Sequence, residues 1–243
     1  MLSAERGDDN IRNNEILIEK LERIARESDL LNDQTVLDNI TTFILAGYVT
    51  TASTLAATLL MLAMHPDAQE RAFQEVNDTI LDDCITNDDL SKLVYLEKVL
   101  KESIRLFPVA PFITRVCEKE TEVCEHTIPA GAHIIIPIHI MHRDKTVWGE
   151  RAALFDPENF SPENSANRHP YAFLGFSGGI RNCIGIRYAL ITLKIVMAKL
   201  IKRYEFSTDI KYEDIRFHAS VIMRIANGYA ISLKRRKKET YEK

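Results

Sequence analysis

From Phe43 to Met64 the chain carries no charged residue. A run of that length has two possible homes: the hydrocarbon of a membrane, which it is long enough to cross, or the middle of a protein core, where a helix is apolar all round. Thr50, Thr51, Ser53, Thr54 and Thr58 make it polar for lipid, and neither flank has the Lys/Arg cluster that orients a span. Composition alone leaves both homes open. Either way the run predicts one long helix, starting at Asn32 or Asp33 as cap and ending at His65-Pro66, where proline is tolerated only in a first helical turn.

The remaining chain is that of a folded domain. Lys+Arg number 31 against Asp+Glu 35 in 243 residues, so the positive excess expected of a nucleic-acid binder is missing and no nucleic-acid partner is expected. Cys84, Cys117, Cys124 and Cys183 form neither a C-x-x-C pair nor a disulfide framework, which fits a reducing compartment. Met1 to Asn10 are polar and charged, and no signal peptide or anchor is expected there. Asn14 to Ser28 has Ile16, Leu17, Leu21 and Ile24 at helical spacing and predicts a surface helix.

After the long helix, Pro66 to Leu81 predicts a helix with Ala68, Ala72, Phe73, Val76 and Ile80 inward. Asn87 or Asp88 opens a short one, and Val94 to Leu106 a third. Beyond Pro108 the pattern shortens to strands around Ile113 to Val116, Val123, Ile128, and Ala132 to Ile138, with Pro129-Ala130-Gly131 as a turn. Trp148 to Tyr171 is rich in Pro, Asn and Asp without periodicity, a long ordered loop. Ile184 to Leu200 predicts a helix burying Ile191, Ile195 and Ala198, with Arg187 and Lys194 in solvent. Asn227-Gly228 between Met223, Ile225, Tyr229, Ile231 and Leu233 predicts a tight hairpin.

Chemistry concentrates in Phe173 to Gly185, a glycine-rich loop that sets Cys183 just ahead of a helix. Orphan N–H groups and the helix dipole stabilise negative charge on a sulfur so placed. Gly178, Gly179 and Gly185 allow positive φ and a close approach by a flat partner. The same loop is compatible with an inert buried cysteine or with a phosphate cradle. Glu102 and Arg105 share one helical face, and taken alone they read as a surface pair worth little. Arg115 alone reads as an exposed arginine on an edge strand. His139, His142 and His169 lack paired-ligand spacing, so zinc is not expected.

Phe176, Gly179, Arg181, Cys183 and Gly185 together match the haem-binding signature of the cytochrome P450 family. Ala46-Gly47-Tyr48-Val49-Thr50-Thr51 resembles the family's oxygen-activation motif, and Leu96 to Pro108 its Glu-x-x-Arg helix; Met141-His142-Arg143-Asp144 and Trp148-Gly149 also recur there. The resemblance implies a mainly α fold with small β-sheets (α+β), residues 1–243 forming one haem-binding domain that is the C-terminal part of a longer protein. It implies haem b with Cys183 as axial thiolate and metal ligand, Phe176, Gly179 and Gly185 around the ring, and Arg181 and Arg115 on the propionates. Glu102 and Arg105 become a buried structural pair. Ala46 and Gly47 would let the long helix open for dioxygen, Thr50 would supply a hydroxyl to it, and Val109, Ala110, Pro111 and Phe112 would line the substrate.

By the same resemblance, the chain is a monooxygenase acting with O2 on a hydrophobic small molecule (lipid, hormone or xenobiotic), closest to the microsomal branch that includes fatty-acid hydroxylases. Electrons would come from NADPH through a reductase, docked at Lys98, Lys101, Arg187 and Lys194. Localisation would be the cytosolic face of the endoplasmic reticulum membrane, through an anchor outside this chain. Two residues depart from the pattern: Val49 stands where the family has an acid, and Asn159, in Asp156-Pro157-Glu158-Asn159-Phe160, where it has an arginine. The rival readings are a haem-binding or interaction protein without turnover and a membrane-spanning interaction protein using Phe43 to Met64.

Overall fold

The computed structural model describes residues 32–236 apart from 83 and 219, together with Glu19 and Arg23. The expected surface helix over Asn14 to Ser28 lies outside the described residues apart from Glu19 and Arg23, both helical. The chain divides into two units, Met1–Val49 and Thr50–Lys243.

Helix α1, Asp33–Met64, opens on Asn32, whose side-chain oxygen accepts from the Thr35 amide at 2.8 Å. In the first unit it exposes Leu37, Ile44, Leu45 and Tyr48. In the second unit it is a core helix: Thr54, Ala57, Thr58, Leu60, Met61, Leu62 and Ala63 are buried. The threonines are no obstacle, because Thr54 donates to the Thr50 carbonyl at 2.9 Å and Thr58 to the Thr54 carbonyl at 2.8 Å. Among the described residues α1 alone is long and apolar enough to cross a membrane.

Helix α2, Pro66–Thr79, buries Ala68, Gln69, Ala72 and Val76. The short α3, Asn87–Lys92, opens at Asn87 as expected and is capped by Thr86, in a reciprocal capping box with Asp89. Helix α4, Val94–Leu106, starts where Glu75 accepts from the amides of Tyr95 and Leu96 at 2.6 and 2.8 Å, so a distant carboxylate caps it. Then come β1 (Ile113–Val116), β2 (Thr121–Val123), β3 (His126–Ile128) and β4 (His133–Ile136), paired antiparallel as β1·β4 and β2·β3. Ile138 does not extend a strand as expected; with Pro137 ahead of it, it opens the short helix α5, Ile138–Met141. Helix α6, Lys145–Trp148, follows, and the long loop beyond it is made of single turns, among them Pro157–Phe160 and α7, Pro162–Ser165.

Helix α8, Ile186–Arg203, buries Leu193, Lys194, Met197, Ala198 and Ile201. This corrects the expected inward stripe. Ile191 is exposed, and Lys194 is buried because its ammonium meets Glu97 at 2.6 Å and the Leu90 carbonyl at 2.9 Å. The expected hairpin at Asn227-Gly228 is also absent. Strand β5 (Tyr204–Ser207) pairs with β8 (Ser232–Arg235), and β6 (Phe217–His218) with β7 (Arg224–Ile225). Asn227 is drawn away by bonds from the Arg216 amide and to the Asp214 carbonyl. Gln69 ties α2 to β5 by accepting from the Phe206 amide and donating to its carbonyl, at 2.8 and 2.9 Å. The outcome is mainly helical with small two-stranded sheets, as expected.

Candidate functional site

The cysteine loop is shaped by its backbone. Cys183 donates its amide to the Phe176 carbonyl at 2.9 Å, Asn182 to Gly179 at 3.1 Å and Ser177 to Leu174 at 2.9 Å. Closing so tight a loop requires left-handed residues: Gly179 at φ 74° and, at some strain for a residue with a Cβ, Ser177 at φ 62°. Cys183 is exposed, three residues ahead of Ile186, and Gly185 is the helix N-cap. Arg181, Ile180 and Ile184 are exposed beside it, while Phe176 is half-buried against the core.

The loop is bolted to α4. Gly175 packs so tightly that a Cβ there would stand 2.4 Å from Cγ2 of Ile104 and 2.6 Å from the Phe173 ring. One residue earlier, the Leu174 amide donates to Nε2 of His142 at 2.9 Å, which leaves Nδ1 to donate to the Arg105 carbonyl at 3.0 Å. Both ring nitrogens are used by a neutral imidazole. Burial, helped by the nearby Arg105 and Arg143 guanidiniums and opposed by the bond to Arg105, pushes its pKa down to about 4. His142 also stacks on Phe173, with centroids 5.4 Å apart. It connects the end of the Glu-x-x-Arg helix to the root of the cysteine loop.

Glu102 and Arg105 are both fully buried, so the surface-pair reading is corrected. Arg105 meets Glu102 with Nε and Nη2, each at 2.7 Å, and donates to the carbonyls of His142, Ala152 and Leu154. Glu102 Oε1 also accepts from the Asp156 amide at 2.8 Å and from Nδ2 of Asn159 at 3.0 Å. Asn159 therefore takes the position of a second donor to the carboxylate, without bringing a charge. Every oxygen and nitrogen of the pair is matched, which is the condition for a buried ion pair to hold a fold together.

Arg115, on β1, is half-buried and donates to Oγ of Ser177 at 3.1 Å, so its guanidinium reaches the cysteine loop and is not the free edge-strand cation that it reads as in isolation. Val109 is half-buried, Ala110 and Phe112 are exposed, and Pro111 is buried, its carbonyl accepting from the His139 amide. Val109 shares a small cavity with Ser53, Ala57, Phe107, Phe217 and Met223. Helix α1 runs unbroken through Ala46, Gly47 and Thr50, with no local opening, and among the described residues no neighbour beyond the helix's own backbone comes within 4 Å of a Cβ placed on Gly47.

A family model for cytochrome P450 matches residues 4–232. The chain belongs to the cytochrome P450 family. Among its curated relatives, "Probable cytochrome P450 4ac1" of Drosophila melanogaster is 39% identical over 88% of the chain and 42% of the relative. "Probable cytochrome P450 313a4" of the same fly is 37% identical, over 83% of the chain and 42% of the relative. "Cytochrome P450 4c21" of Blattella germanica is 37% identical, over 82% of the chain and 40% of the relative. The chain spans about two fifths of the length of these relatives.

In this P450 chain the three expected reductase-docking lysines are already engaged. Lys98 pairs with Glu158 at 3.0 Å, and Lys101 and Lys194 pair with Glu97 at 2.7 and 2.6 Å. Burial would raise the Glu97 carboxyl, but bonds from these two ammoniums outweigh it and hold the group below its ordinary value. Arg187 stays exposed. Gly175 and Arg168 are contributors that motif reading passed over, while His142 and Trp148, noted there only as recurring residues, are partners of the loop and of the buried pair. For His142 a signal existed: a histidine beside the apolar Ile138, Ile140 and Met141 needs partners for both nitrogens if buried.

Proposed function

We propose that the chain is the cysteine-bearing part of a haem-thiolate monooxygenase that inserts one atom of O2 into a hydrophobic small molecule. The observation that carries this reading is an exposed Cys183 sulfur, at the mouth of a helix, on a loop whose root is fixed by Gly175 and His142 to the buried Glu102–Arg105 pair.

The residues present suit haem b. The sulfur is accessible, Ile180 and Ile184 offer apolar surface at 100% and 70% exposure, and no side chain stands over Gly179. Arg181 and Arg115 are the cations for two propionates. When bound, haem would supply dioxygen activation, strengthened by electron density from a thiolate ligand. Cys183 would hold the iron, with the orphan N–H groups of α8 favouring its negative charge. Phe176 and Gly185 would leave room for the ring on that side.

On α1, Thr50 is the residue with a hydroxyl for proton delivery to oxygen, Ala46 and Gly47 being the small residues beside it. Val49 can neither carry a proton nor order water, so Thr50 works without an adjacent acid. Val109, Ala110 and Phe112 are the surfaces on which an apolar substrate would rest. Electrons would come from NADPH through a reductase meeting the exposed Arg187, at the endoplasmic reticulum membrane. Val49 also favours a second reading, haem binding without turnover. A carbon monoxide difference spectrum followed by an NADPH turnover assay on the whole natural polypeptide separates the two: a thiolate-type spectrum with product supports the enzyme, and the same spectrum without product the alternative.

A further inference from the structure

The pair at the heart of α4 has a neutral partner, Asn159, on its one carboxylate, and a second cation lies just behind it. Arg168 donates through Nη1 to the Asn159 carbonyl at 2.6 Å, while Asn159 donates to Glu102 at 3.0 Å. The Arg168 guanidinium carbon sits 4.0 Å from the centre of the Trp148 ring, and that of Arg105 sits 4.8 Å from the same ring. One indole thus serves two guanidiniums, whose mutual repulsion it attenuates by offering its electron-rich face. Trp148 in turn contacts Phe160 at 5.7 Å, Phe160 contacts Phe173 at 5.0 Å, and Phe173 opens the cysteine loop. Arg168 Nε is buried without a hydrogen-bond partner, so its placement is held by the Asn159 carbonyl and the ring.

We infer that Arg168 is a positioning residue that completes the buried Glu102 network from a distance, holding Asn159 against the carboxylate through a backbone carbonyl and the Trp148 ring. It does what a longer, charged side chain at position 159 would do directly. The inference concerns the scaffold and stands whether or not the haem reading does. Charge explains why this group is an arginine: Glu102 alone cannot neutralise two cations, so the second must stay partly in contact with water, and Arg168 is half-buried rather than enclosed.

The test is hydrogen exchange, followed by mass spectrometry across Asp156 to Arg168, on the whole natural polypeptide as purified. R168Q orphans the Asn159 carbonyl, and local opening there is expected to rise roughly ten- to a hundredfold. R168K keeps the charge without the planar fork and recovers part of the protection. The decisive variant is N159R. In the R168Q background its guanidinium can reach Glu102 and lie over the vacated ring, restoring protection to within about threefold of wild type; with Arg168 present it brings no gain, because three guanidiniums then crowd one carboxylate. Should R168Q yield no folded protein, N159R/R168Q is expected to restore it. Unchanged exchange in R168Q, an equal effect of N159R in both backgrounds, or failure of N159R to rescue would each overturn the inference.

Discussion

Replacing Glu102 by glutamine changes one atom's identity and the charge, and the structure specifies what that does. Glu102 receives four N–H donors: two from Arg105 at 2.7 Å, the Asp156 amide at 2.8 Å and Asn159 at 3.0 Å. Glutamine keeps one acceptor oxygen and turns an NH2 toward the remaining donors. Arg105, at 0% exposure, would keep only backbone carbonyls and no counter-charge. An uncompensated buried charge of this kind costs ~3–5 kcal/mol, a large fraction of the ~5–15 kcal/mol by which domains are stable. Urea unfolding of the natural protein, followed by far-ultraviolet circular dichroism, should show E102Q losing that amount. The exposed Lys145–Glu150 pair, 64% and 87% accessible, should show no measurable loss in a matching E150Q variant. A loss below about 1 kcal/mol for E102Q, the range of a surface pair, would refute the claim that this pair holds the core.

Three further outcomes follow from other contacts. His142 binds its partners only when neutral, so its stabilisation is fully present above pH 6.5, is lost as the unfolded chain protonates between 6.5 and about 4, and reaches roughly 3 kcal/mol at 1.36 kcal/mol per pH unit; a stability profile equally steep in wild type and H142N would contradict this. Gly175→Ala should cost ~1–3 kcal/mol by overpacking against the buried, β-branched Ile104, and thermal unfolding showing an unshifted midpoint would argue against the bolted loop. V49D should raise product formed per NADPH consumed, and equally tight coupling in both proteins would dismiss the absence of an acid as a constraint.

What the sequence made legible is what short-range rules govern. Proline at 66, the periodicity of α2 and α4, and the charge-free run of α1 each dictate their element locally, and those elements form. Three features escaped because their partners are remote in sequence. The stripe of α8 turned on whether Lys194 meets Glu97, which reverses the usual rule that lysine faces water. Asn227-Gly228 has the composition of a hairpin turn, yet β8 finds β5, and Asn227 is recruited by Asp214 and Arg216. The burial of Glu102 and Arg105 came only through family resemblance, since spacing alone cannot tell a surface pair from a core pair. In the candidate site, Cys183 is singled out by the family signature in its glycine-rich loop, whereas His142, Gly175 and Arg168 gain meaning only once Leu174, Ile104 and Asn159 are brought beside them.

Reconstituting the natural protein and its Cys183→Ser counterpart with haem, and comparing the Soret band of the reduced carbon monoxide complexes, puts the sulfur itself to trial. The account predicts the red-shifted, thiolate-type band for the natural protein and its loss in the serine variant, with the secondary structure by circular dichroism unchanged. An identical band in both would mean that the iron is held elsewhere, and that Cys183 is only an exposed thiol at the start of a helix.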